Sequence, residues 1–141
     1  MTQVFFYHGA ANRIAAATAL LGKAAAQGKP VLVYTPDAAV AADLDRQLWI
    51  QPAIGFTPHC RADSPLAGET SILITDSLES PPQHERLLNL DRGAPPDFSR
   101  FASLIEVVSQ DDDDRQAGRE RVRLYKERGA EIRFIDLAGP P

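Results

Sequence analysis

The 141-residue chain is long enough to bury one core, and 44% of its residues are apolar. Its net charge is −4, which excludes the broad, sequence-independent phosphate binding that rests on a dominant excess of Lys and Arg. The opening MTQVFFYHGA lacks the basic start and long apolar stretch of a signal peptide, and no apolar run reaches the roughly 20 residues of a membrane span, so a cytoplasmic protein is expected. The one cysteine, Cys60, has no second thiol for a disulfide or a metal cage.

Val4-Phe5-Phe6-Tyr7 is β-branched and aromatic and ends at Gly9. Asn12 then offers an N-cap for an Ala- and Leu-rich helix from Arg13 to Gln27. Gly28 stops that helix, and Pro30 opens a second apolar strand, Val31 to Tyr34. Pro36-Asp37 introduces another helix running to about Ile50. Two nearly unbroken apolar strands joined by helices predict a parallel sheet covered on both faces.

The stretch 51–70 is rich in Pro, Gly, Ser and Thr and reads as loop. Strands follow at 71–75 and 87–90, with Ser80-Pro81-Pro82-Gln83 as a turn between them. A short helical piece at 97–101, a strand at 104–108, a last helix from about Asp111 to Arg128 and a closing strand at 131–136 complete the chain. The last strand alternates apolar and charged residues, the pattern of a half-exposed edge. The expected architecture is one domain over residues 1–141, a three-layer α/β/α Rossmann-like fold with a mostly parallel sheet and an antiparallel edge strand.

Catalytic motifs fail one by one. His8-Gly9-Ala10-Ala11-Asn12-Arg13 supplies one glycine where approach to a pyrophosphate needs several. Gly22-Lys23 and Gly28-Lys29 lack the upstream glycine and the following Ser or Thr of a phosphate loop. His84-Glu85 lacks the second histidine of a zinc helix, because Leu88 stands there. Asp111 to Asp114 lack the spacing and glycine of a calcium loop, and their place at a helix start assigns them to capping and dipole compensation. No cofactor or metal is expected, and no catalytic residue is assigned.

Two features stand out. Beyond its aspartates the last helix carries Arg115, Arg119, Arg121, Arg123, Lys126 and Arg128 against Glu120 and Glu127, a net of +4 in a negatively charged chain. At about 100° per residue, Arg115, Arg119, Val122 and Lys126 share one narrow face, with Arg123 at its margin. A solvated stripe balanced by the aspartates is one reading of that face. The other is a site for an acidic peptide with an aromatic end, carboxylates on the guanidinium groups and the ring on Val122 and the aliphatic stems. Ala117, Leu124 and Tyr125 belong to the sheet-facing side. The second feature is the segment from Leu48-Trp49-Ile50 to Phe56-Thr57-Pro58-His59. It is either a flap over the core or an exposed interface with aromatic anchors, and exposure decides between them.

Together these residues resemble the chi subunit of bacterial DNA polymerase III holoenzyme over nearly the whole chain. The resemblance is carried by Phe5-Phe6-Tyr7, Gly28-Lys29-Pro30-Val31-Leu32-Val33, Leu44-Asp45-Arg46-Gln47-Leu48-Trp49, Phe56-Thr57-Pro58-His59, and Arg119-Glu120-Arg121 with Tyr125-Lys126 and Gly129. It implies a Rossmann-like fold without nucleotide chemistry and a non-catalytic adaptor that links the psi subunit of the clamp loader to single-stranded DNA-binding protein. By motif position, the acidic, Phe-terminated tail of the latter falls on Arg115, Arg119, Val122, Arg123 and Lys126. The psi-facing surface falls on Trp49, Phe56 and Pro58. Nucleic acid is then met only indirectly. The rival readings are a nucleotide-binding or hydrolytic enzyme, which needs a phosphate loop at 9–13, and a direct single-strand binder, which needs stacking aromatics beside the cations.

Overall fold

A computed structural model of the chain describes residues 2–50 and 57–138. Strand β1 (Gln3–Ala10) leads into helix α1 (Arg13–Ala26), which begins where Asn12 leaves the helical region and its Oδ1 accepts the Ala15 N–H at 2.9 Å. Gly28, at φ 69°, ends the helix in the left-handed conformation that a side chain disfavours. β2 (Val31–Tyr34) follows, and Asp37 Oδ1 accepts the Ala39 N–H at 2.9 Å to start α2 (Ala38–Ile50). Asp37 is thus a cap, as its position after a strand suggests.

The second half adds β3 (His59–Arg61), β4 (Ile72–Thr75), β5 (Arg86–Asn89), β6 (Ser103–Ser109), helix α3 (Asp112–Glu127) and β7 (Glu131–Asp136). The expected helical piece near 97–101 is a 3₁₀ turn at Phe98–Arg100. β3 and a 3₁₀ turn at Ala67–Glu69 lie inside the stretch whose composition reads as loop. All seven strands form one sheet in the order β3-β4-β2-β5-β6-β1-β7.

Alternation along the strands separates two cores. Val31 and Val33 point with Ile72, Ile74 and Leu88 toward Ala17 and Leu21 of α1 and Leu44 and Leu48 of α2. Leu32, Leu73, Leu87, Leu104 and Val4 point the other way, toward Tyr125 of α3 and the rings of Phe98 and Phe101. The result is the expected α/β/α arrangement, with one correction. β7 is an edge strand, but it runs parallel to β1, in register from Gln3↔Glu131 to His8↔Asp136, and every described ladder is parallel. The cause is α3: a helix of 16 residues rises about 24 Å and returns the chain to the end of the sheet where β6 began, so β7 sets out in the same direction.

α3 can lie close because Gly118 faces the sheet. A Cβ there would stand 2.7 Å from Val108 Cγ2 and 3.2 Å from Phe6 Cζ. Beneath the helix, Glu106 of β6 is 0% exposed. Its Oε2 accepts from the Tyr125 hydroxyl and, at 3.0 Å, from Asn89 Nδ2 of β5, and it pairs with Arg121 Nε at 3.1 Å. Arg121 Nη1 donates onward to the Arg92 carbonyl at 2.8 Å. Burial, and next the Glu106 carboxylate, push the Tyr125 phenol above its ordinary pKa, so it remains the donor. Arg13, at the start of α1, closes the cluster from the strand ends through Nε to the Val107 carbonyl at 2.8 Å and Nη2 to the Asp91 carbonyl at 3.0 Å.

Tyr125→Phe, which leaves the buried carboxylate short of a donor, is expected to lower unfolding free energy by about 1.5–3 kcal/mol in urea titrations; an unchanged midpoint would remove the bond from the stability of the fold. Gly118→Ala is expected to cost about 1–3 kcal/mol by overpacking against Val108, and a stabilised variant, as its higher helix propensity alone would predict, would show that α3 can lift without penalty.

Candidate functional site

The rotation of α3 about its axis follows from its contacts. Gly118 lies over Phe6 and Val108, hence over β1 and β6. Ala117, Arg121 and Leu124 turn toward residues 92–94 after β5, where with Gln116 and Glu120 they line a cavity of about 530 Å3. Counting about 100° per residue from Gly118, Val122, Arg115, Lys126 and Arg119 fall between about 40° and 100° round in the opposite sense. The strand order β5-β6-β1-β7 makes that the β7 side. Arg115 bears this out, since it lines a cavity of about 270 Å3 with His8, Ser109 and Gln110 and with Asp136 at the end of β7.

The four residues of the cationic face therefore share one side of the helix, Val122 half-buried and Arg115, Arg119 and Lys126 exposed. Arg123 is exposed at the margin and pairs with Glu120, while Arg115 lies 3.8 Å from Asp112. Among the described residues no ion pair engages Arg119 or Lys126. Arg121, which contributes to the formal charge of the helix, is 2% exposed and neutralised by Glu106, so the surface charge is one unit lower than the sequence count.

Phe134 of β7 is an aromatic residue beside this face that sequence patterning alone leaves unremarked. It stands in register with Phe6, their rings 5.5 Å apart edge to face, so it lies on the sheet face that α3 covers, yet it is 51% exposed. Its signal in the sequence was present: a bulky aromatic in an alternating strand next to charged neighbours.

The aspartates at the helix start divide their roles. Asp112 and Asp113 lie exposed in the first turn, where negative charge opposes the helix dipole, whereas Asp114 turns inward and its Oδ2 accepts the Ser109 N–H at 2.6 Å. Asp111, although at the N-cap, makes no side-chain cap bond.

At the other end of the sheet, Leu44 and Leu48 pin α2 to the core, and the next residues, Trp49 and Ile50, are 56% and 65% exposed. The flap reading fails for Trp49: Leu48 just before it is buried, whereas Trp49 is turned outward. His59, the first residue of β3, sits under it with ring centroids 5.7 Å apart at 69°. That ring is held by Asp45, 2.6 Å from Nε2, and by the Thr57 carbonyl, 2.7 Å from Nδ1. Pro58 is exposed. Phe56 lies outside the described residues.

The turn after β1 does other work than binding phosphate. Asn12 caps its own helix, and the Arg13 guanidinium spreads over the carbonyls of Asn89, Leu90, Asp91 and Val107 at the carboxyl ends of β5 and β6. In doubly wound folds a nucleotide occupies the crevice outside those strand ends. Among the described residues no group of three His, Cys, Asp or Glu side chains could hold a metal ion, and no helix is long and apolar enough to cross a membrane.

Residues 1–133 match the family described as DNA polymerase III chi subunit, HolC. A Pseudomonas aeruginosa protein named DNA polymerase III subunit chi is 32% identical over 135 residues, covering 92% of each chain. The Escherichia coli protein of the same name is 29% identical over 103 residues, covering 72% of this chain and 70% of its own. The chain therefore belongs to the chi subunit family of DNA polymerase III, an accessory rather than a catalytic component of the replication machinery.

Proposed function

We propose that the chain joins two other proteins at the replication fork in the bacterial cytoplasm. At one end it binds a psi-type subunit of the clamp loader through Trp49, Phe56 and Pro58. At the other it binds the acidic C-terminal tail of single-stranded DNA-binding protein through Arg115, Arg119, Val122, Arg123 and Lys126. DNA is reached through that second partner and not by direct contact.

The observation that carries this reading is the pairing, on one side of α3, of the cations Arg119 and Lys126 with the half-buried Val122, next to the exposed ring of Phe134. A chain of net charge −4 presents there a local surface suited to carboxylates and an aromatic ring together. Val122 alone offers a small apolar surface, and Phe134 adds an aromatic one from the adjacent strand. The apolar end of the sheet supports the other half of the proposal: an exposed Trp stacked edge to face on His59 has the character of an interface anchor.

In a titration with the tail peptide at moderate salt, Arg119→Ala should weaken binding about tenfold, near 1.4 kcal/mol. The same contact is partly exposed, so wild-type affinity should fall steadily between low and physiological ionic strength. Binding that ignores both the substitution and the salt would place the tail elsewhere. Trp49→Ala, compared with wild type in a pull-down of clamp-loader components, should lose its partner while tail binding persists; equal capture by the two proteins would remove Trp49 from the interface.

A further inference from the structure

The strand order leaves one long edge open on the side where the cations lie. Among the described residues β7 pairs only with β1, and its contacts to β1 use alternate residues: the Glu131 N–H reaches the Thr2 carbonyl at 3.4 Å and the Leu137 N–H reaches the His8 carbonyl at 2.8 Å. In a parallel ladder the N–H and C=O of one residue point to the same side. Glu131, Arg133, Ile135 and Leu137 therefore face β1, and the backbone donors and acceptors of Ile132, Phe134 and Asp136 face outward along a free edge. An unprotected edge is a template for another strand. This one is long for an edge strand and is followed by the exposed Leu137.

We infer that the partner bound by the basic face is an extended acidic peptide that adds alongside β7 as an eighth strand, with every second side chain directed to α3. The inference rests on the tail-binding reading above and deepens it. A strand added beside β7 alternates its side chains between the two faces of the sheet. Those on the α3 face run beside Phe134 and under Arg115, Arg119 and Lys126, so carboxylates and a ring at alternate positions meet cations and an aromatic. Those on the other face pass Arg133, a further cation on the edge itself. Glu131 and Asp136, at the two ends of β7, limit a densely acidic segment to the middle of the strand, where Arg133 and Phe134 lie. Charge on the face selects the peptide, and backbone pairing to Ile132, Phe134 and Asp136 sets its register.

The test is a backbone scan on the intact chain. A synthetic peptide spanning the acidic tail of the host's single-stranded DNA-binding protein is N-methylated at one amide at a time, and each form is titrated against wild type, Arg119→Ala and Phe134→Ala. The expected result is a period of two: losses of about tenfold at alternate amides, as for one hydrogen bond and its blocked pairing, and little change at those between. Phe134→Ala should weaken every form several-fold while its circular dichroism matches wild type. If no amide matters while Arg119→Ala still weakens binding, the peptide is held by side chains alone; the added strand is then wrong and the tail site stands. If Arg119→Ala also has no effect, the tail site itself is wrong. A concentration-dependent dimer in sedimentation that the peptide does not dissolve would give the edge to a second copy of the chain and overturn the inference.

Discussion

Glu106 is a carboxylate with no access to water, placed in the middle of β6. Removing a charge from water costs several kcal/mol, so the neighbourhood must supply partners, and here they converge on Oε2. It draws them from three other elements: Asn89 from β5, Tyr125 and Arg121 from α3 and, more distantly, Arg13 from α1, whose Nη2 lies 3.9 Å from Oε1. Arg13 carries the cost of that arrangement as well, since burial, and after it the charge of Arg121, lower its pKa, while Glu106, Asp114 and Asp91 hold it up. The consequence for function is geometric. Two contacts four residues apart on α3, Arg121 and Tyr125, both directed at one buried atom, fix the rotation of the helix about its axis. Turning it by one residue would aim Glu120 or Val122 at Glu106 in place of Arg121 and carry Arg119 away from the β7 side. The buried charge thereby decides which cations the helix displays.

Much of the fold was legible because the relevant signals are local. Asn12 and Asp37 cap helices, Gly28 ends one, and the runs at 31–34 and 104–108 are apolar enough to be buried strands. Strand direction is not local. The charged and apolar alternation of 131–136 reports exposure on an edge, and it did so correctly, but it is the same for either direction; only the return path over α3 settles it. β3 escaped notice because its three residues follow a proline and carry His and Arg, and its place in the sheet comes from pairing with β4.

The site shows the same division. The shared side of Arg115, Arg119, Val122 and Lys126 follows from helical periodicity and holds in three dimensions. The separate fate of Arg121 does not follow from its own segment, since its partner Glu106 is on another element. A glutamate inside the apolar run Leu104-Ile105-Glu106-Val107-Val108 was nevertheless a visible anomaly, and it asks for a buried cation. Trp49 was ambiguous by composition, yet the i, i+4 pair Leu44 and Leu48 already directs the buried stripe of α2 away from it.

The order of the strands places Trp49, above β3, and the basic face, beside β7, at the two ends of a seven-stranded sheet. Six strand spacings separate them by roughly 29 Å. Across such a body, partners of the proposed kind would neither clash nor compete, and without a bistable element between them neither would alter the other's affinity. What remains is tethering. Once one end is engaged, the partner of the other end is sampled within a radius of a few nanometres, a local concentration on the order of millimolar. Two weak contacts then suffice to hold an assembly together, and each can exchange without releasing the whole.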